Sequence, residues 1–165
     1  METRKRIRLP NYDYSQNGAY FITICTKDKA HTLGTVAHAH VRLTRYGEAV
    51  DETIRAIPEV YPNVILEHYV VMPNHIHLLL HLENGPPGCA APTDVPVVGA
   101  EHRPARRASV PQIMSALKSL TTRRCGVSLW QRGYYDHIIR DEEDFLTRWN
   151  YIDTNPARWG EDEYA

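Results

Sequence analysis

The sequence predicts an α+β domain in which helices pack on an antiparallel sheet. Three features support this prediction: apolar runs with the alternation of strands, segments with apolar residues at helical spacing, and two strands joined by a tight turn. With 165 residues, of which 42% are hydrophobic and 24% charged, the chain can bury the core of one domain. We expect a single domain over residues 1–165, in the order strand, strand, helix, hairpin, helix, strand, helix.

The first half of the chain contains two predicted strands and a helix. Residues 18–26 are β-branched and aromatic, which is typical of a strand, and residues 41–44 predict a shorter one. Between residues 46 and 57, apolar side chains recur at spacings of four and three. This period predicts a helix, which we expect to end at Pro58.

A β-hairpin is predicted in the middle of the chain. Residues 64–72 and 75–82 are two apolar runs of strand length. Pro73 and Asn74 separate them, and both residue types favour tight turns. The two runs should therefore pair as antiparallel neighbours.

The remaining elements follow a segment of different composition. Residues 83–108 are rich in glycine and proline and show no period, so we predict a flexible loop there. Residues 111–124 predict a helix with one apolar face, and residues 134–140 predict a strand. An acid-rich turn at Asp141 suits the start of a last helix, which Pro156 ends.

Composition excludes several classes of protein. No apolar run approaches the roughly 18 residues of a membrane span. The charged start is not followed by the apolar stretch of a secretory signal. We therefore expect a cytoplasmic protein with no membrane partner. The three cysteines form no Cys-x-x-Cys pair, so neither a zinc ribbon nor a disulfide framework is predicted.

Positive charge is concentrated in two parts of the chain, although the formal net charge is only −1. Local basic surface can bind a polyanion whatever the net charge, and the alternative is an ordinary solvated face. The residues that we expect to contact the phosphates of such a polyanion are Arg4, Lys5, Arg6, Arg8, Lys118, Arg123, Arg124 and Arg132.

His75 and His77 are candidate metal ligands. Side chains two positions apart on a strand share a face, which places their Cα atoms roughly 7 Å apart. Two imidazoles at that spacing can bind one metal ion, whereas the alternative is a pair of hydrogen-bonded core histidines. A nucleotidyl-transferase His-x-His-x-His motif is excluded because the next position on this face is Leu79.

Tyr151 and Asn155 form the second candidate pair. Residues four apart on a helix lie one turn apart on the same face. Asn155 would add a third neutral ligand to His75 and His77, leaving the full divalent charge to polarise a phosphodiester. Tyr151 would lie beside the metal as the attacking group. A phenol has a pKa of about 10, so it is a poor nucleophile until a metal or a base draws off its proton. The alternative is a half-buried tyrosine and a helix-capping asparagine.

Four segments together resemble the single-tyrosine HUH transposases. They are Gly-Ala-Tyr-Phe-Ile-Thr-Ile-Cys-Thr at 18–26, Tyr-Val-Val-Met-Pro-Asn-His-Ile-His-Leu at 69–78, Trp-Gln-Arg-Gly-Tyr-Tyr-Asp-His-Ile-Ile-Arg at 130–140 and Tyr-Ile-Asp-Thr-Asn-Pro at 151–156. The chain looks closest to the REP-associated branch of that family. The resemblance covers nearly the whole chain except residues 83–108.

This resemblance implies a fold, a reaction and roles for four residues. The fold would be the ferredoxin/RRM-like fold of HUH nucleases. The reaction would be cleavage of single-stranded DNA at a hairpin-associated site, with a 5′-phosphotyrosine intermediate and a free 3′-hydroxyl. His75 and His77 match the metal pair and Tyr151 the nucleophile. Asn155 matches the third ligand, where relatives from insertion sequences carry glutamine.

The resemblance also bears on the cofactor and the assembly. We expect activity with Mn²⁺ or Mg²⁺, because imidazole suits manganese while phosphate oxygens suit magnesium. Insertion-sequence relatives resemble dimers that exchange their tyrosine helices, whereas the REP-associated branch looks able to act as a monomer. The chain is thus expected to be a monomer or a homodimer.

Two other functions remain open on the sequence. The chain could be a non-catalytic nucleic-acid-binding regulator on the same scaffold, or a metal-dependent phosphoesterase in which Tyr151 is structural. Tyr134 and Tyr135 are rival nucleophiles, but they lie on a predicted strand without a ligand at helical spacing. We interpret them as packing or base-stacking residues.

Overall fold

The computed structural model describes residues 12–83 and 108–165. Its strands are β1 (Gly18–Cys25), β2 (Gly34–Ala37), β3 (His40–Leu43), β4 (Val64–Val71), β5 (His75–Leu82) and β6 (Tyr135–Ile138). Its α-helices are α1 (Arg45–Arg55), α2 (Ile57–Val60), α3 (Val110–Cys125) and α4 (Glu142–Thr154). None of the helices in these two ranges is long and apolar enough to cross a membrane. Residues 84–107 of the predicted loop lie outside the described residues.

Four strands form one antiparallel sheet in the order β4-β5-β1-β6, and β2 pairs with β3 in a separate ribbon. Without the ribbon and the short α2, the elements from β1 to β6 run β-α-β-β-α-β, which is the ferredoxin-like pattern, and α4 follows them. The α+β class and the predicted hairpin are confirmed. β4 and β5 pair from Val64 opposite Leu82 to Val71 opposite Ile76.

Two sequence predictions about local structure were wrong. β2 was not predicted, because four residues starting at a glycine are too few to show a strand period. Pro58 was predicted to end a helix, but α1 ends at Arg55 and Pro58 lies in the first turn of α2. Proline is tolerated there because the first-turn N–H groups have no partner within the helix.

The two faces of β5 pack against different helices. Ile76 and Leu78 face the main core, which also contains Val50 of α1 and Ile113 of α3. On the opposite face, Leu79 packs with Phe21 of β1 and Ile152 of α4. Successive side chains of a strand alternate between faces, so His75 and His77 share the α4 side with Leu79.

Helix α4 is held against the sheet edge at its N-terminus. Asp141 caps the helix by accepting a hydrogen bond from the backbone N–H of Asp144 at 2.8 Å. The carboxylate of Asp144 also lies 2.8 Å from Nε2 of His137 on β6. These contacts anchor the helix start, while Ile152 buries the last turn against the sheet.

A substitution at Gly47 in α1 tests how closely the helix packs against the start of the ribbon. A Cβ on Gly47 would lie 2.0 Å from the backbone oxygen of Leu33. We expect Gly47→Ala to lower the free energy of unfolding by about 1–3 kcal/mol through overpacking, despite a gain of roughly 1 kcal/mol in helix propensity. Urea denaturation measures the change.

Gly160→Ala is the matched control for this substitution. A Cβ at Gly160 has no atom within 4 Å, so we expect a change below about 0.5 kcal/mol. A Gly47→Ala protein as stable as the wild type would contradict the close contact between α1 and Leu33.

Candidate metal centre

The structure brings His75 and His77 together under α4. Both side chains have 0% exposed surface, and their ring centroids lie 4.6 Å apart. Burial lowers the pKa of His75 to about 4, although Asp162 and Asn155 act in the opposite direction. Burial also lowers the pKa of His77, and His75 and Arg148 add to that effect. Both imidazoles are therefore neutral at pH 7, which is the form that binds metals.

Asn74 determines which nitrogen of His75 carries the proton. The Asn74 amide nitrogen donates to the backbone oxygens of Tyr164 at 2.6 Å and Lys29 at 3.4 Å. The amide oxygen of Asn74 is thereby turned toward Nδ1 of His75, at 2.7 Å. An amide oxygen only accepts hydrogen bonds, so Nδ1 of neutral His75 is protonated and Nε2 holds a lone pair.

His77 is oriented from the neighbouring strand β1. Its Nδ1 lies 2.8 Å from the hydroxyl oxygen of Thr23, which is also buried. Nε2 of His77 is buried without a hydrogen-bond partner, as is Nε2 of His75. A hydrogen bond to the remote ring nitrogen is the usual way in which proteins orient a metal-binding histidine.

Asn155 follows the last residue of α4 and is 4% exposed. Its amide nitrogen donates to Oδ2 of Asp162 at 2.6 Å, while its amide oxygen is buried without a partner. His75, His77 and Asn155 therefore each have one buried polar atom without a hydrogen-bond partner. Such atoms are rare in native proteins and cost about 1–3 kcal/mol each. A divalent cation fits this set of donors.

Tyr151 lies one turn before Asn155 on α4, with its ring centroid 5.1 Å from that of His77. Burial raises the pKa of Tyr151 to about 12, with a further contribution from the carboxylates of Asp162 and Glu163. The phenol is therefore protonated near neutral pH. Tyr151 and His77 line a cavity of about 220 Å³; its other lining residues are Phe21, Tyr135, Arg148, Glu163 and Tyr164.

Comparisons with known proteins show which proteins this chain resembles. No protein-family model matches the chain. An uncharacterized protein of Haemophilus influenzae is 33% identical over 167 residues, which cover 97% of this chain and 92% of that protein. A second protein of that organism, named "Putative REP-associated tyrosine transposase", is 25% identical over 154 residues, covering 92% of this chain and 78% of its own length.

A solved structure has a similar fold. It is the structure of a REP-associated tyrosine transposase bound to a REP hairpin, with a TM-score of 0.64 and 19% identity over 94% of this chain and 76% of that one. The chain is thus similar to REP-associated tyrosine transposases both in sequence and in fold. The resemblance seen in the sequence and the ferredoxin-like fold are thereby confirmed.

The sequence did not predict that a carboxylate lies beside His75 and His77. Oδ2 of Asp162 lies 3.7 Å from Nε2 of His75, and the Asp162 side chain has no exposed surface. One ligand atom each from His75, His77 and Asp162 lie within 4.8 Å of one another. Sequence reasoning predicted three neutral ligands. The only signal for Asp162 was its place among the acidic residues of the C-terminal segment.

The basic residues predicted to bind DNA lie in different environments. Lys118 donates to the backbone oxygens of Gln131, at 2.9 Å, and Gly133. Arg124 pairs with Glu52 and donates to the hydroxyl of Thr53. Arg123 and Arg132 are exposed, while the four basic residues of the N-terminus lie outside the described residues. The prediction for all eight stays untested.

The rival tyrosines also differ from each other. Tyr134 is buried in the main core on the opposite side of the sheet from α4. Tyr135 is 47% exposed and lines the same cavity as Tyr151. Of the two, only Tyr135 can serve as a control for a substitution at Tyr151.

Thr23→Val tests whether the orientation of His77 matters for metal binding. The substitution keeps the shape of the side chain but removes the hydroxyl that lies against Nδ1 of His77. We expect the dissociation constant for Mn²⁺ to rise about 10-fold or more, because the second nitrogen loses its partner. Isothermal titration calorimetry measures it.

Thr53→Val is the control for the loss of a buried threonine hydroxyl. Thr53 lies in α1 and bonds to Ala49 and Arg124, away from both histidines. We expect a similar loss of about 1 kcal/mol in stability but unchanged Mn²⁺ affinity. Equal affinity of the Thr23 variant and the wild type would contradict the role of this hydroxyl.

Proposed function

We propose that this chain cuts and rejoins single-stranded DNA next to a hairpin, with Tyr151 as the nucleophile. The observation that carries the proposal is the place of the Tyr151 ring, 5.1 Å from the ring of His77. His77 is one of three residues whose buried donor atoms lack partners and fit a divalent cation. A tyrosine beside such a site can make a covalent bond to a phosphate.

The bond changes balance without a further reactant. The phenol oxygen of Tyr151 attacks phosphorus and forms a phosphotyrosine bond to the 5′ side of the cut, while the bond from phosphorus to the 3′ oxygen breaks. The phenol proton passes to solvent, and the departing 3′ oxygen gains a proton. Rejoining is the reverse attack by a 3′-hydroxyl, so the energy of the cut bond is conserved.

His75, His77 and Asn155 would hold the metal ion, and a divalent ion there would polarise the phosphodiester as a Lewis acid. Two imidazoles and an amide oxygen suit Mn²⁺, and Mg²⁺ can gain further oxygen ligands from phosphate. We therefore propose activity with either ion. The guanidinium of Arg148 lies 5.2 Å from the centre of the Phe21 ring and lines the Tyr151 cavity. It places positive charge where a phosphate would enter.

The proposed substrate is a DNA hairpin with adjacent single strand. The similar solved structure is of a protein bound to a REP hairpin. We propose that this chain binds the same class of ligand. Cations at Arg123 and Arg132 would neutralise phosphates, which carry most of the affinity of proteins for nucleic acids.

The proposed catalytic unit is one chain. Tyr151 and both histidines come from the same molecule, and α4 packs on its own sheet through Ile152. No exchange of helices is needed to complete this arrangement. Each chain of a homodimer would then carry a complete site.

The nucleophile is tested with a labelled hairpin oligonucleotide and Mn²⁺. We expect the wild-type protein to form a covalent adduct with DNA that survives denaturing electrophoresis, and Tyr151→Phe to form none because the attacking oxygen is gone. Tyr135→Phe removes a tyrosine hydroxyl from the same cavity and should still form the adduct.

Each other outcome of this experiment contradicts a different part of the proposal. An adduct that persists in Tyr151→Phe removes this residue from the role of nucleophile. Cleavage without any adduct would identify a metal-dependent phosphoesterase. Hairpin binding without cleavage or adduct would identify a non-catalytic regulator.

The DNA surface is tested by the salt dependence of hairpin binding. We expect Arg132→Ala to weaken binding and to reduce the slope of log K against log salt by about 1, because one phosphate contact is lost. Arg42→Ala removes another exposed arginine, from β3, and should leave the slope unchanged. Fluorescence anisotropy between about 50 and 200 mM salt measures both, and equal slopes for Arg132→Ala and wild type would exclude a phosphate contact at Arg132.

A further inference from the structure

We infer that Asp162 is a fourth metal-binding residue, so that the C-terminal segment (residues 159–165) completes the centre. This inference rests on the proposed metal site at His75, His77 and Asn155. It differs from that proposal in the charge of the site and in the part of the chain that supplies it. Asp162 lies seven residues beyond Asn155, after α4 has ended.

The first argument is the contact between Asp162 and His75. The orientation of Asn74 places the proton of neutral His75 on Nδ1, so the Nε2 atom carries a lone pair. Oδ2 of Asp162 lies 3.7 Å from that nitrogen. With His75 in the neutral form that binds metals, two electron-pair donors thus face each other at short range, as the ligands of one cation do. This arrangement is repulsive by itself and becomes favourable when both donors bind one cation.

The second argument is the environment of the carboxylate. The Asp162 side chain has no exposed surface, and it accepts hydrogen bonds from Asn155 at 2.6 Å and from the backbone N–H of Tyr164 at 2.8 Å. Among the described residues, no lysine or arginine lies within 4.0 Å of it. Burying an unpaired carboxylate is costly, so a positive charge is expected beside it.

The third argument is that the segment is fixed over the histidines. The Trp159 ring stacks on His75 with centroids 6.0 Å apart, and the Tyr164 ring lies 5.0 Å from His75. The backbone oxygen of Tyr164 accepts the hydrogen bond from Asn74. The residues on both sides of Asp162 therefore hold its carboxylate at the site.

A carboxylate changes the chemistry of the centre. With His75, His77 and Asn155 alone, a bound divalent ion keeps its charge of +2, and with Asp162 the charge falls to +1. Two imidazoles with one carboxylate and one amide oxygen form a mixed nitrogen and oxygen site, which suits Mn²⁺. Metal binding would also stabilise the C-terminal segment, because Asp162 belongs to it.

The test is Mn²⁺ binding by the full chain, measured by calorimetry, with Asp162→Asn as the variant. Asparagine has the same shape and can still accept the hydrogen bond from Tyr164, although it loses the one from Asn155. We expect the dissociation constant to rise about 10- to 100-fold or more, since even partners of metal ligands have effects of that size. Asp162→Glu restores the charge and should bind Mn²⁺ more tightly than Asp162→Asn. Glu161→Gln removes a neighbouring exposed carboxylate and should leave affinity unchanged.

A second measurement separates metal binding from a structural role. Without metal, Asp162→Asn loses the hydrogen bond from the Asn155 amide while its contact with His75 becomes less repulsive, so the metal-free melting temperature of each variant serves as its own baseline. With Mn²⁺, Asp162→Asn should show less of the rise in melting temperature that the wild type gains. Unchanged Mn²⁺ affinity in Asp162→Asn overturns the inference.

His77→Ala distinguishes this failure from failure of the proposed site. If His77→Ala loses Mn²⁺ binding while Asp162→Asn keeps it, the histidine site stands and the inference falls. If the wild-type chain binds no Mn²⁺, both are overturned.

Discussion

The burial of two neutral imidazoles on one face of β5 is the constraint on which the site depends. His75 and His77 have no exposed surface, so each nitrogen must either find a partner or remain unsatisfied. Asn74 and Thr23 engage the two Nδ1 atoms, and both Nε2 atoms are left without partners on the side of α4. This arrangement costs stability unless a cation is bound. It is therefore evidence of binding chemistry rather than of packing.

The same strand alternation builds the core and the site. Ile76 and Leu78 anchor β5 to the helices on one face, so the histidines between and beside them are held rigidly on the other. Helix α4 then covers that face, and its last buried contact, Ile152, is next to Tyr151. The proposed nucleophile on a packed helix and the proposed ligands on a central strand would keep their separation, as catalysis by positioning requires.

The C-terminal segment gives the centre its electrostatic character. Asp162 and Glu163 raise the pKa of Tyr151 beyond the effect of burial alone, so the phenol is a weak nucleophile in the metal-free protein. A bound cation beside Asp162 would oppose that effect, because it brings positive charge to the same place. Metal binding and the reactivity of the tyrosine would thus be coupled through one carboxylate.

The sequence by itself determined the α+β class, the hairpin, the shared face of His75 and His77 and the one-turn spacing of Tyr151 and Asn155. These features follow from the periods of side-chain direction, two residues in a strand and 3.6 in a helix, which are visible in the sequence itself. The family resemblance assigned roles to the four residues.

Only the tertiary structure decided the position of Asp162, the proton on His75 and the structural contacts of Lys118 and Arg124. The hydrogen bond from Asn74 to Tyr164 joins residues 90 positions apart, and that between Thr23 and His77 joins residues 54 apart. Such contacts have no period in the sequence, because they depend on how packed elements bring distant parts of the chain together.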